Sequence, residues 1–200
     1  MGVLTEIPNK KLITDKGKII VNPAFDTVLE IQRLYKEEDL TDFEKVEQAL
    51  KMLIKNSWNL RLFSPGEKVK LMEEISKRYI ETKKRPQIRK SALPVLDFEE
   101  DGDYIYASFM QDYGIDLIDQ QGRLPWKKFI YLFNGLSSGT KIKQVMQIRC
   151  MEVPKYTGKN AKQIQEINEL KSYYALPVKG GGGQSGLDLL FRTLEGMARR

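Results

Sequence analysis

The sequence predicts a mainly α fold: a helical bundle with a short N-terminal β-hairpin and a linker-tethered C-terminal helix. Three observations carry this. Apolar residues recur at spacings of three and four through most of the chain, as at Trp126, Phe129, Ile130 and Phe133. Cap and breaker residues divide these runs, among them Thr41 with Glu44, Ser64-Pro65 with Glu67, Gly114, Pro125 and Gly135. Residues 11–22 instead set two β-favouring runs around Asp15-Lys16-Gly17, a turn cluster whose glycine can take positive φ.

The hairpin, alone only marginally stable, must pack on the helices or pair with another chain. Asn22-Pro23 reads as a helix start, with Asn as cap and Pro at the first position. That helix runs to about Glu37 and points Ala24, Val28, Ile31 and Tyr35 inward. Thr41 to Glu44 is a capping box, and Phe43, Val46, Leu50 and Leu53 face inward on the helix behind it. The short loop at 38–40 makes these two helices an antiparallel hairpin. Ser64-Pro65-Gly66-Glu67 opens a third helix to about Glu81, carried by Val69, Met72, Ile75 and Tyr79.

The basic run 83–90 reads as an exposed loop around Pro86, or more sharply as a phosphate-binding patch. No aromatic interleaves there to stack on bases. The acidic stretch 96–103 lacks the spacing of a calcium loop. Asp101 and Asp103 instead suit the N-terminus of a helix starting near Tyr104, where negative charge is favoured. That helix buries Ile105, Phe109 and Tyr113 and stops at Gly114. A turn at 120–122 leads to Pro125 and the aromatic helix, which ends at Gly135. Thr140 caps the next helix, bearing Ile142, Val145 and Met146. After Pro154, residues 159–174 form a charged amphipathic helix with Ile164, Ile167 and Tyr174 inward, and Pro177 stops it. Residues 179–186 are a Gly-rich linker by composition, with no P-loop pattern. The organisation expected is therefore a helical core domain over 1–178, a linker over 179–186 and a C-terminal amphipathic helix over 187–200. A helix that short must dock, on its own core or on a partner chain.

Composition narrows the chemistry. The chain has no histidine, which removes the commonest general base and the commonest metal ligand. Its single cysteine, Cys150, excludes an internal disulfide and, with no histidine, zinc sites of the Cys/His type. A buried structural thiol is expected there. The carboxylates Asp112, Asp116 and Asp119 read as caps and solvated charges around a helix end. No catalytic residue, metal or cofactor is expected, and the protein is not expected to be an enzyme. The N-terminus has no apolar core of signal type, and Glu6 stands where a myristoylation motif takes Ser or Thr. No run of about 18 apolar residues exists, so no membrane span is expected. Between Lys55 and Val95 there are 11 Lys or Arg against 4 Asp or Glu; between Leu96 and Leu124 there are 1 and 8. Such blocks fit segments that attract one another, or copies of the chain associating head to tail. They also fit a nucleic-acid surface, which the adjacent acidic block argues against.

The residues YIYASFMQDYGIDL at 104–117, LPWKKFIYLFNGLSSGT at 124–140 and IKQVMQIR at 142–149 resemble a family of bacteriophage tail proteins. These are small proteins of siphophages of Gram-positive hosts, encoded close to the tape measure protein and regarded as tail assembly chaperones. The order and spacing of aromatic, Gly and Trp positions over 104–149 carry the resemblance, which extends more loosely to the hairpin and first helices. Members often have His before the Trp; here Leu124-Pro125 precedes Trp126. The family has no known catalytic residues, so that departure removes no activity. The resemblance implies a protein that binds the tape measure protein, keeps it soluble and helps recruit major tail protein. Such a protein would act in the host bacterial cytoplasm, from phage or prophage, and would not join the mature virion.

The apolar stripes then select candidate partner contacts. These are Trp126, Phe129 and Phe133 on the aromatic helix and Leu187, Leu190, Phe191 and Leu194 on the tethered one. The competing account of the aromatic stripe is plain core packing. Self-association is a further expectation. The competing functions are a basic nucleic-acid-binding module using residues 77–90, or another phage structural or adaptor protein.

Overall fold

The computed structural model describes residues 10–82, 95–177 and 185–198, with side chains from 190 to 197 in the last stretch. Among the described residues the order is a hairpin followed by eight α-helices, with a 3-10 turn before the third and a π turn after it. Strands β1 (Lys11–Thr14) and β2 (Gly17–Ile20) pair antiparallel, with Leu12 opposite Ile19 and Ile13 opposite Lys18. Gly17 takes φ 112°, as its turn requires. Leu12 and Ile19 face the core, while Ile13 and Lys18 share the outer face. The basic run 83–90 lies outside the described residues, as does most of the Gly-rich linker. The terminal helix starts at Ser185, so the linker ends two residues earlier than composition implies.

The chain gathers into two compact units. One holds residues 1–84, 120–131 and 185–200; the other holds 85–119 and 132–184. This differs from a single core over 1–178 with a separate terminal helix. The difference is tertiary: the terminal helix packs on the first and third helices, and the start of the aromatic helix stacks Phe129 on Phe25, from far along the chain.

In the first unit, α1 (Phe25–Lys36) and α2 (Asp42–Leu53) form the expected antiparallel pair. Thr41 and Glu44 close a capping box. Val28, Ile31 and Tyr35 meet Val46, Leu50 and Leu53 in the interior. The first helix begins three residues after Asn22, because the backbone there is engaged elsewhere. The Asn22 N–H donates to Leu53 O (2.7 Å), Phe25 N–H to Leu124 O (2.9 Å) and Trp126 N–H to Pro23 O (2.7 Å). A 3-10 turn at Ser57–Leu62, which no periodicity announced, leads to α3 (Pro65–Ile75), opened by the Ser64–Glu67 capping box. α3 continues as a π turn, Ser76–Ile80, closed by Glu81 N–H on Ser76 O (2.8 Å). The extra residue in that turn brings both Tyr79 and Ile80 inward. α8 (Ser185–Ala198) lies against α1 and α3 and buries Leu190 and Leu194. Of the two docking modes open to it, this is docking on its own chain.

In the second unit, α4 (Gly102–Tyr113) ends at Gly114 with φ 62°. It packs on α6 (Lys141–Cys150), and α6 on α7 (Ala161–Tyr173). Thr140 sits at the N-cap of α6, but its hydroxyl turns back to Ser137 O (2.8 Å). The cap comes from a distant residue instead: the buried Ser108 Oγ accepts from Ile142 N–H (3.1 Å). Asp101 does not stand free at the start of α4. It is buried and ion-paired with Arg149, whose guanidinium closes the unit from the other end of α6. Cys150 is exposed, not buried: Ile142 and Val145 mark the inner line of α6, and Cys150 falls about 140° round from Val145.

Candidate functional site

Most of the side chains selected from the apolar stripes turn out to be interior. α5 (Trp126–Gly135) contributes its first six residues to the first unit and its last four to the second. Trp126 stacks on Phe129 (ring centroids 5.6 Å apart), and Phe129 stacks on Phe25 (5.0 Å). Both are fully buried. Phe133 is buried against Phe98 (5.6 Å), with the ammonium of Lys143 5.1 Å above its ring. Burial pushes the Lys143 pKa down. Leu190 and Leu194 are buried with α8, Phe191 is half-buried, and the side chain of Leu187 lies outside the described residues. The physical reason is the same throughout: a wide apolar stripe is satisfied first by the chain's own helices. The core-packing account therefore holds for Trp126, Phe129 and Phe133, and they present no surface to a partner.

Three other surfaces carry exposed apolar groups. The first is α7. Ile164, Ile167 and Tyr174, expected inward, are only half-covered, and no residue of the helix is fully buried. Leu170 is exposed and Tyr173 is 77% exposed; Tyr156, in the segment leading to the helix, is exposed as well. The helix is anchored by its polar side chains. Lys171 Nζ donates to the terminal carbonyls of α6 at Met151 O (2.6 Å) and Arg149 O (3.1 Å), and Lys141 Nζ reaches Tyr174 Oη (2.7 Å). That last bond is the main cause raising the Lys141 pKa.

The second surface surrounds the 3-10 turn of the first unit. Trp58 is 71% exposed, and Leu62 and the outer-face Ile13 are exposed too. Asn56 Nδ2 (2.8 Å) and Asn59 Nδ2 (3.4 Å) donate to Lys18 O, which fixes Trp58 beside the hairpin. Lys18, Lys55 and Arg61 are exposed around it. No acidic residue lies between Glu47 and Glu67.

The third surface belongs to α4 and the turn after it. Asp103, Tyr106 and Met110 follow one face of the helix, and Tyr106 Oη donates to Asp116 Oδ2 (3.1 Å). This bond is the main cause raising the Tyr106 pKa. Asp116 Oδ1 accepts from Ile118 N–H (2.9 Å) and Asp119 N–H (3.3 Å), and Ile118 is 64% exposed. Asp112 accepts from Ser137 N–H (2.7 Å) and Oγ (3.0 Å). Asp112 and Asp116 are thus turn and loop caps, as their positions in the sequence indicate.

Among the described residues no group of three or more His, Cys, Asp or Glu is placed to hold a metal ion, and no helix is long and apolar enough to cross a membrane. Sequence reasoning missed Trp58 and Tyr173 as exposed aromatics. Aromatic residues carry no mark of exposure in a sequence, and only the neighbouring helices decide it. No curated relative and no solved structure matches the chain, whereas a family model described as Bacteriophage Gp15 protein matches residues 9–176.

Proposed function

The chain belongs to the bacteriophage Gp15 protein family, and from this we propose that it is a tail assembly chaperone that binds the tape measure protein in the host cytoplasm. On this reading it keeps that long helical chain soluble and helps recruit major tail protein around it, without catalysis and without entering the virion. The observation that carries the reading is α7, a helix whose apolar side chains stand open to water: Ile164 and Ile167 part-covered, Leu170 and Tyr173 exposed. A client with extended apolar helical stripes aggregates unless they are covered. A rigid helix offering anchors at successive turns receives such a stripe as a helix–helix contact. Contact by Trp126, Leu190 or Leu194 would first require unpacking the protein's own core, so α7 is the better candidate.

The test is co-expression with the tape measure protein encoded nearest to its gene, followed by pull-down and size exclusion with light scattering. A soluble co-eluting complex is expected, lost on Leu170→Asp plus Tyr173→Asp while the free protein keeps its circular dichroism and melting temperature. No complex, with the tape measure protein left insoluble, would overturn the role. Binding that follows salt-sensitive retention on DNA instead would favour a nucleic-acid module.

A further inference from the structure

We propose that the exposed basic and apolar surface around Trp58 is the docking site for a second copy of this chain, which it engages through the acidic and apolar surface around Ile118. The two surfaces match in kind. The first sets the apolar groups Ile13, Trp58 and Leu62 among the cations Lys18, Lys55 and Arg61. The second sets Met110 and Ile118, both exposed, beside Asp103, Asp116 and Asp119. No Lys or Arg occurs from Leu96 to Gly122. Among the described residues, no ion pair engages Lys18, Lys55 or Arg61. Their charge is therefore available to a partner.

The anatomy is that of a protein interface. Apolar anchors, including Trp and Met, sit at the centre, and charges of one sign surround them. A phosphate backbone would use the cations but would leave Ile13 and Leu62 in water, so a protein occupant is favoured over nucleic acid. The anchors are also held firmly. Asn56 and Asn59 tie the turn bearing Trp58 to the hairpin, and Asp116 binds the turn bearing Ile118 to Tyr106. Little backbone freedom in these turns remains to be lost on docking. The contact joins unlike surfaces, so each copy keeps one of each kind, and association runs head to tail. Opposite charges on the two faces orient the copies and disfavour like-with-like pairing.

The test uses the full chain and two variants, each damaging one surface at residues whose side chains make no hydrogen bond among the described residues. One carries Trp58→Ala and Arg61→Glu; the other carries Ile118→Ser and Asp119→Lys. Mass is followed by size exclusion with light scattering, after nuclease treatment, over a concentration series at low and high salt. The parent chain should self-associate, more weakly as salt rises. Each variant alone should be weakened by roughly tenfold or more, with unchanged melting temperature. Mixed in equal amounts, the two should form a one-to-one pair, because each retains the surface that the other lacks. A parent chain that stays monomeric throughout would overturn the proposal. So would association untouched in either variant, or a mixture that stays monomeric. None of these outcomes depends on a client being present, so they are distinct from failure of the α7 contact.

Discussion

Arg149 grips Asp101 through two parallel hydrogen bonds, Nη1 to Oδ2 at 2.7 Å and Nη2 to Oδ1 at 2.8 Å, with the side chains only 8% and 1% exposed. The same guanidinium donates to Val95 O (3.0 Å) and Tyr174 O (2.6 Å). One side chain at the end of α6 thus ties the segment before α4 to the segment after α7. A fork of this geometry is specific to arginine. Arg149→Ala should lower unfolding free energy by roughly 3–5 kcal/mol, because Asp101 is left charged, buried and unpaired. Arg149→Lys should recover only part of that loss. Urea unfolding of the three proteins checks it, and additive losses for Arg149→Ala and Asp101→Ala in a double variant would show that the pair is not coupled.

The Ser64–Glu67 capping box carries a pH dependence. Glu67 Oε2 accepts from Lys16 Nζ, from Ser64 N–H (2.7 Å) and from Ser64 Oγ (2.8 Å). The Lys16 bond first, then those from Ser64, hold its pKa down from 4.5 to about 2. A depressed folded pKa means that the stabilisation is complete above the unfolded value near 4.5 and is lost as pH falls through about 2. The urea midpoints of the parent and Glu67→Gln should therefore differ most above pH 5 or thereabouts and converge as the solution approaches pH 2. A difference independent of pH would show that the carboxylate charge is not what stabilises the cap.

Docking of α8 on α1 and α3 makes Leu190 and Leu194 core residues. Leu190 is fully buried there. Leu190→Ala should cost about 2–5 kcal/mol in the protein alone, with no partner present. A cost near zero in chemical denaturation would mean that the helix does not pack on its own chain in solution.

Ser108 links two helices by one hydroxyl. Its Oγ donates to Tyr104 O (2.6 Å) and accepts from Ile142 N–H (3.1 Å), all in the interior. Ser108→Ala should cost about 1–3 kcal/mol, since the first turn of α6 loses the acceptor for a buried N–H. Hydrogen exchange at Ile142 should accelerate with it, while exchange in α1 and α2 stays unchanged.

Much of the secondary structure was legible because its causes are local. The capping boxes at Thr41–Glu44 and Ser64–Glu67 lie within four residues, and the structure forms both. Gly17 and Gly114 take the positive φ that their turn and helix end require. The inward faces of α1, α2 and α3 follow from spacing, except that Phe43, in the first turn of α2, is only half-buried. The cap of α6 was not legible at Thr140, because its acceptor is Ser108, 34 residues earlier. The late start of α1 has the same origin: Pro23 and Phe25 are held by Trp126 and Leu124 from the far side of the chain. Trp126, Phe129, Phe133, Leu190 and Leu194, selected as candidate contacts, are interior for a related reason. Spacing marks a side chain as one that must be covered, and leaves open whether its own chain or a partner does the covering.

The sequence by itself determined a helical protein with one N-terminal hairpin, without histidine or a disulfide, and with opposed basic and acidic stretches. These follow from composition, backbone preference and period, which act over a few residues. The tertiary structure alone decided that Trp126, Phe129 and Leu190 are core, that Trp58, Ile118 and Tyr173 are surface, and that Asp101 pairs with Arg149. Each of those depends on which distant segment arrives beside it. Burial energy scales with the area that such a neighbour removes from water, and that area is a property of the assembled helices.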